Sequence, residues 1–129
     1  MNTAIIVAAG SGTRFGGDTP KQFVKLAGRP ILLRSIEKFD LCGGIDSIVV
    51  VVSEASVEQT RSIVEAAEFV KPVEIVVGGA TRAGSTANGL STIKDNDGIV
   101  LVHDAARPLV NINDIQRVID AAKEFGAAC

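Results

Sequence analysis

Ala4-Ile5-Ile6-Val7, running into Ala8-Ala9-Gly10-Ser11-Gly12-Thr13-Arg14-Phe15-Gly16, is the stretch on which the fold turns. Four apolar residues in a row are the composition of a short strand buried on both faces in a parallel sheet. The strand empties into small residues, whose backbone N–H groups stand clear of side chains, as a bound phosphate requires. Arg14, and Lys21 within Pro20-Lys21-Gln22, add cations to the same loop. Both fit solvated surface cations as well, but their place beside an amide-rich turn favours phosphate contact. Arginine there spans two oxygens and lysine acts as a compact point charge. The glycine spacing matches neither of the commonest phosphate motifs. Phe15 stands where a dinucleotide fingerprint requires its third glycine, and no Gly-Lys-Ser/Thr triplet supplies a P-loop.

Outward from this stretch the chain alternates strands and helices. That order argues for an α/β domain with a mainly parallel sheet. Arg29-Pro30 opens a helix carrying Leu32, Ile36 and Phe39 toward the sheet, and Gly43-Gly44 closes it. Ile48 to Val52 is a second buried strand. Ser56 with Gln59 reads as a capping box, for a helix with Val57, Ile63, Val64 and Ala67 inward and Pro72 as its stop. Val73 to Val77 is a third strand, ending at Gly78-Gly79. Thr81 caps a short helix running through Leu90 and Ile93. Asp95-Asn96-Asp97-Gly98 is a turn before the fourth strand, Ile99 to Val102. A last helix carries Ile115, Val118, Ile119, Ala122 and Phe125, and Ala127-Ala128-Cys129 reads as another strand cut short.

The 129 residues have the size of one domain, and 47% apolar against 22% charged residues makes it globular. A net charge of −2 argues against a nucleic-acid surface. No apolar run is long enough for a membrane helix, and Met1-Asn2-Thr3 opens no signal peptide. Cys42 and Cys129 read as reduced structural thiols of a cytoplasmic protein.

Right-handed crossovers gather the carboxyl ends of parallel strands on one edge, where ligands of open α/β sheets bind. Three loops there are unusual: residues 10–17, 78–85 and 103–108. In the second, Gly78-Gly79-Ala80-Thr81-Arg82-Ala83-Gly84-Ser85, glycine and alanine admit a flat pyrimidine ring to main-chain donors and acceptors; equally, they make a strand-to-helix turn with a threonine cap. In the third, Asp104 at a strand end beside a phosphate loop suits Mg²⁺, which takes few carboxylates plus substrate oxygens. Its alternative role is to cap the Ala105-Ala106 turn. His103 is the chain's one histidine and, without partners in sequence, reads as a structural residue rather than a zinc ligand. No Gly-x-Ser-x-Gly elbow is present, which disfavours an esterase-like hydrolase.

Ala8-Ala9-Gly10-Ser11-Gly12-Thr13-Arg14, Pro20-Lys21-Gln22, Gly78-Gly79-Ala80-Thr81-Arg82 with Ser85, and Val102-His103-Asp104-Ala105-Ala106-Arg107-Pro108 together resemble the cytidylyltransferases of 2-C-methyl-D-erythritol 4-phosphate, enzymes of non-mevalonate isoprenoid biosynthesis. The resemblance runs from Thr3 to the chain end. Ribitol-phosphate cytidylyltransferases are similar, but Ala8-Ala9-Gly10 and Asp104-Ala105-Ala106 point to the erythritol branch. It implies a three-layer, Rossmann-like sheet of the nucleotidyltransferase type, shortened relative to the family. It also implies CTP and a sugar-alcohol phosphate as substrates, Mg²⁺ or another divalent cation as cofactor, and a homodimer for the intact enzyme. Arg14 and Lys21 would then be catalytic, stabilising the transition state at the α-phosphate. Ala8, Ala9, Gly10, Ser11, Gly12 and Thr13 would cradle the triphosphate, and Gly79, Arg82 and Ser85 would surround the base. Asp104 and Ala105 would lie by the ribose, with Asp104 also on the metal. Ala80 departs from the family, whose members often carry an acid there. The family continues for roughly as much chain again, with a dimerisation arm and further basic residues for the acceptor. The expectation for this chain is therefore nucleotide binding with little or no transfer. A nucleotide-binding module without turnover, and a dinucleotide-binding domain, are the alternatives.

Overall fold

The computed structural model describes residues 1–9, 23–94, 98–105, 107 and 110–126; the statements below concern these. Four parallel strands form the sheet in the order β5-β4-β1-β6: β1 is Thr3–Ala8, β4 Ser47–Val52, β5 Val73–Val77 and β6 Val100–Asp104. The aliphatic runs of β1 and β4 are buried along almost their whole length, as central strands of a parallel sheet must be. Register places Ile5 between Val49 and Val102, Ile6 between Val50 and His103, and Val7 between Val51 and Asp104.

These alternating rows feed two cores. Ala4, Ile6, Ala8, Ile48, Val50 and Val52 pack with α1 (Ile31–Asp40), α4 (Ile112–Phe125) and the apolar face of α2 (Val57–Ala67). Ile5, Val7, Val49 and Val51 form the opposite face, toward α3 (Arg82–Leu90), where Gly89 lets the helix close on Ile5 and Val51. Helices on both faces make the expected three layers, with an all-parallel sheet.

Several local expectations need correction. Arg29-Pro30 leads directly into a helix but does not form its first turn. It is β3 of a two-residue-strand hairpin with β2 (Lys25–Leu26), turned by Ala27 and Gly28 at φ 53° and 80°, and Pro30 becomes the N-cap of α1. Two left-handed residues make this tight turn, and Ala27 does not advertise it as Asn or Asp would. Arg34 then clamps the turn, donating to the Leu26 and Ala27 carbonyls at 3.2 and 2.9 Å.

Gly43-Gly44 does not terminate α1, which ends at Asp40 with Leu41 N–H donating to the Glu37 carbonyl and with its C-terminal end braced from across the fold. Lys71 Nζ donates to the carbonyls of Phe39 and Cys42, while the amides of Val70 and Lys71 donate to the Asp40 carboxylate. With those groups occupied, no left-handed glycine is needed. Gly44 instead admits α4, since a Cβ there would lie 2.5 Å from Gln116 Oε1.

The Ser56 capping box is not formed either. Ser56 is buried at the end of the 3₁₀ turn Glu54–Ser56, and its Oγ accepts from Ser53 Oγ. Helix α2 stops at Ala67 through a left-handed Glu68, before Pro72. Its one buried residue is Thr60, absent from the apolar pattern. Strand β6 runs on to Asp104, two residues past the expected end, because Ala105 N–H still reaches the Val7 carbonyl. Phe125, on the helical stripe of α4, is 74% exposed because it ends the helix beyond the sheet. Ala127-Ala128-Cys129 lies outside the described residues, as do the signature loop from Gly10 to Gln22 and Asp95-Asn96-Asp97. Cys42 is buried and free, and no described helix is long and apolar enough to cross a membrane.

Candidate active site

Parallel strands deliver the ends of β1, β5 and β6 to one edge, and their connections touch there. The amide of Gly78 donates to the Val52 carbonyl at 2.7 Å, which carries the chain from β5 inward beside β4. At that point a Cβ on Gly78 would meet Ala9 Cβ at 2.5 Å and Ser85 Oγ at 2.7 Å. Only glycine permits this approach, so the 78–85 loop rests directly on the first residue beyond β1. On the other side, Ala105 N–H donates to the Val7 carbonyl at 3.0 Å, which docks the third loop on the same strand end.

The second loop is built from its own side chains. Thr81 caps α3, its Oγ1 accepting from Gly84 N–H at 3.0 Å. Ser85 is buried, and its Oγ accepts from Gly79 N–H at 3.1 Å. Ser85 thus shapes the loop from inside, while Gly79, Ala80 and Arg82 are exposed around it. Asn88 Nδ2 donates to the Val77 carbonyl at 3.0 Å and ties the helix back to the strand. Asn88 escapes sequence reasoning because its partner is a main-chain group 11 positions earlier.

The third loop is anchored by two more residues. Ser35 of α1, fully buried, donates to the Ala105 carbonyl at 2.9 Å. His103 Nε2 lies 2.9 Å from the Arg107 carbonyl, and its ring packs on Phe39 with centroids 5.1 Å apart. Burial pushes the His103 pKa below its ordinary value; the hydrogen bond to Arg107 and the charge of Asp104 oppose this, and the charge of Arg107 adds to it. The expectation of a structural histidine agrees with this packing.

Of the expected site residues, Ala8, Ala9, Gly79, Arg82, Ser85, Asp104 and Ala105 are brought to this one edge. Gly10, Ser11, Gly12, Thr13, Arg14 and Lys21 lie outside the described residues. Among the described residues no group of three or more His, Cys, Asp or Glu side chains is placed to hold a metal. A single carboxylate at Asp104 fits Mg²⁺, which is commonly held by one or two carboxylates together with substrate phosphate oxygens and waters. It does not fit a resident metal caged by protein. Such an edge has the parts to hold a nucleotide: exposed main chain for a base, small residues for phosphates and an acid for a cation.

Comparison with known proteins identifies a family. Residues 2–129 match the family described as 2-C-methyl-D-erythritol 4-phosphate cytidylyltransferase. A protein of that name from Clostridium tetani is 42% identical over 126 residues, covering 98% of this chain and 51% of the relative. The ribitol-5-phosphate cytidylyltransferase of Vibrio parahaemolyticus is 39% identical over 132 residues, covering 99% and 56%. Among solved structures, the 4-diphosphocytidyl-2C-methyl-D-erythritol synthase of Anaerococcus prevotii superposes with a TM-score of 0.81 at 28% identity, over 95% of this chain and 51% of that one. The chain thus spans about half the length of the curated relatives it matches.

Proposed function

The chain belongs to the 2-C-methyl-D-erythritol 4-phosphate cytidylyltransferase family, and on that premise we propose that its carboxyl edge is the CTP half of a cytidylyl-transfer site. The observation that carries this reading is the contact of three strand ends, Gly78 on Ala9 and Ala105 on Val7. The residues that follow β1, the exposed main chain that follows β5 and the acid at the end of β6 thus share one edge of the sheet, which supports the reading.

The reaction is attack by a phosphate oxygen of 2-C-methyl-D-erythritol 4-phosphate on the α-phosphorus of CTP. A new P–O bond forms and the α–β bridge breaks, with pyrophosphate leaving. The attacking oxygen is already an anion, so no general base is required, and catalysis is positioning plus neutralisation of charge. Arg14 and Lys21 take that second role, and residues 8–13 hold the phosphates. Gly79 and Arg82 face the base, with Ser85 holding Gly79. Asp104 and Ala105 meet the ribose, and Asp104 would hold Mg²⁺, which would neutralise charge on the phosphate oxygens. A homodimer in the cytoplasm completes the reading.

Calorimetric titration with CTP, ATP and GTP, with and without Mg²⁺, tests it. CTP with Mg²⁺ is expected to bind most tightly; equal affinity for a purine nucleotide counts against the base site. Pyrophosphate release with each acceptor then separates the two branches. Ribitol 5-phosphate is the second acceptor to try, given the similarity to the Vibrio protein. CTP binding with little or no pyrophosphate release is the outcome expected of these 129 residues, and release at an ordinary enzymatic rate would show that the acceptor site lies within them.

A further inference from the structure

The third loop is held from behind by a residue with no part in the transfer as proposed. His103 sits in the row of Ile6 and Asp104 in the row of Val7, so the two side chains leave β6 on opposite faces of the sheet. The histidine goes toward α1, where its ring packs on Phe39 at an interplanar angle of 57°. Asp104 goes to the face of α3, the side on which Ala9 and Gly78 meet.

Beyond the strand the chain makes a turn, closed by Arg107 N–H donating to the Asp104 carbonyl at 3.1 Å. The Arg107 carbonyl accepts from His103 Nε2 at 2.9 Å. A carbonyl can only accept, so Nε2 carries the proton. One imidazole therefore joins the last strand residues to the far end of the turn, with the Phe39 ring fixing its plane.

We propose that His103 is a positioning residue, whose Nε2–H bond to Arg107 sets the turn that aims Asp104 and Ala105 at the nucleotide. The inference rests on the CTP reading of the site, and it assigns a role to a side chain that does not reach the crevice. A group that only filled space would act through its ring alone. The effect expected here runs through the hydrogen bond, so ring and donor can be separated. His103→Phe keeps an aromatic ring on Phe39 and removes the donor. His103→Gln gives up the ring but brings an amide N–H close to where Nε2 stood.

The test takes the 129-residue chain and these two variants through two measurements. The first is amide hydrogen exchange without ligand. In His103→Phe the Arg107 amide should exchange about tenfold faster, the scale of one lost hydrogen bond, while the β1 amides stay protected. In His103→Gln the protection of Arg107 should return. The second is CTP titration. His103→Phe should weaken binding about tenfold with Mg²⁺ and far less without it, and His103→Gln should recover most of the loss.

An unchanged Arg107 amide in His103→Phe overturns the proposal. So does a His103→Gln protein as impaired as His103→Phe, since packing alone would then explain the loss. Absence of CTP binding by the unsubstituted chain overturns the nucleotide reading instead. The exchange data then decide the turn-setting role by themselves.

Discussion

The hydroxyl of Ser35, fully buried on α1, donates a 2.9 Å hydrogen bond to the carbonyl of Ala105, 70 positions later in the chain. A helix on one face of the sheet thereby holds the loop that follows Asp104. Replacing Ser35 by alanine leaves the Ala105 carbonyl buried without that donor. Stability should fall by about 1–3 kcal/mol. Urea unfolding of Ser35→Ala measures this, and an unchanged midpoint would show that water replaces the hydroxyl.

Gly78 and Gly43 make a paired test of loop contact. A Cβ at Gly78 would lie 2.5 Å from Ala9 Cβ, whereas one at Gly43 meets nothing within 4 Å. Gly78→Ala should therefore cost about 1–3 kcal/mol through overpacking and weaken CTP binding. Gly43→Ala should leave both unchanged. Equal behaviour of the two variants would remove the contact between the first and second loops from the argument.

Asp104→Asn keeps the shape of the side chain and removes its charge. CTP affinity in this variant should lose most of its dependence on Mg²⁺, with the circular dichroism spectrum of the native chain retained. A Mg²⁺ titration like that of the unsubstituted protein would return Asp104 to a turn-forming role.

Thr60 is fully buried on α2, and its Oγ1 has no hydrogen-bond partner among the described residues. Valine has the same branched shape without the hydroxyl, so Thr60→Val removes an unpaired buried group at little packing change. A gain of about 1 kcal/mol is expected, read as a higher denaturation midpoint. A loss would mean that the hydroxyl is satisfied in solution.

His103 supplies a pH dependence. Burial holds its pKa below the ordinary 6.5, so near that pH the unfolded chain binds more protons than the folded one. Its contribution to stability is thus present above pH 6.5 and lost as the pH falls through the window below it. Glutamine does not titrate. The difference in melting temperature between the native chain and His103→Gln should therefore shift against the native chain on going from about pH 7.5 to about pH 5.5. A constant difference would show that the folded histidine titrates normally.

By itself the sequence determined the layers and the edge at which the loops meet. Ile48 to Val52 and Ala4 to Val7 are apolar without interruption, and that pattern is stable only when both faces are covered. The glycine pair after Val77 and the acid after His103 mark strand ends that the structure brings to the same edge as the end of β1. What it did not reveal are bonds between residues distant in the chain. Lys71 ending α1, Ser35 holding Ala105 and His103 reaching Arg107 each use a main-chain carbonyl as partner. Every residue offers such a carbonyl, so no residue pattern singles one out. Thr60 and the left-handed Ala27 escaped for a related reason: neither is the residue type that burial or a left-handed backbone usually selects. Tertiary structure alone decides such pairings, because a buried polar group takes whichever partner the packed helices and strands bring within about 3 Å.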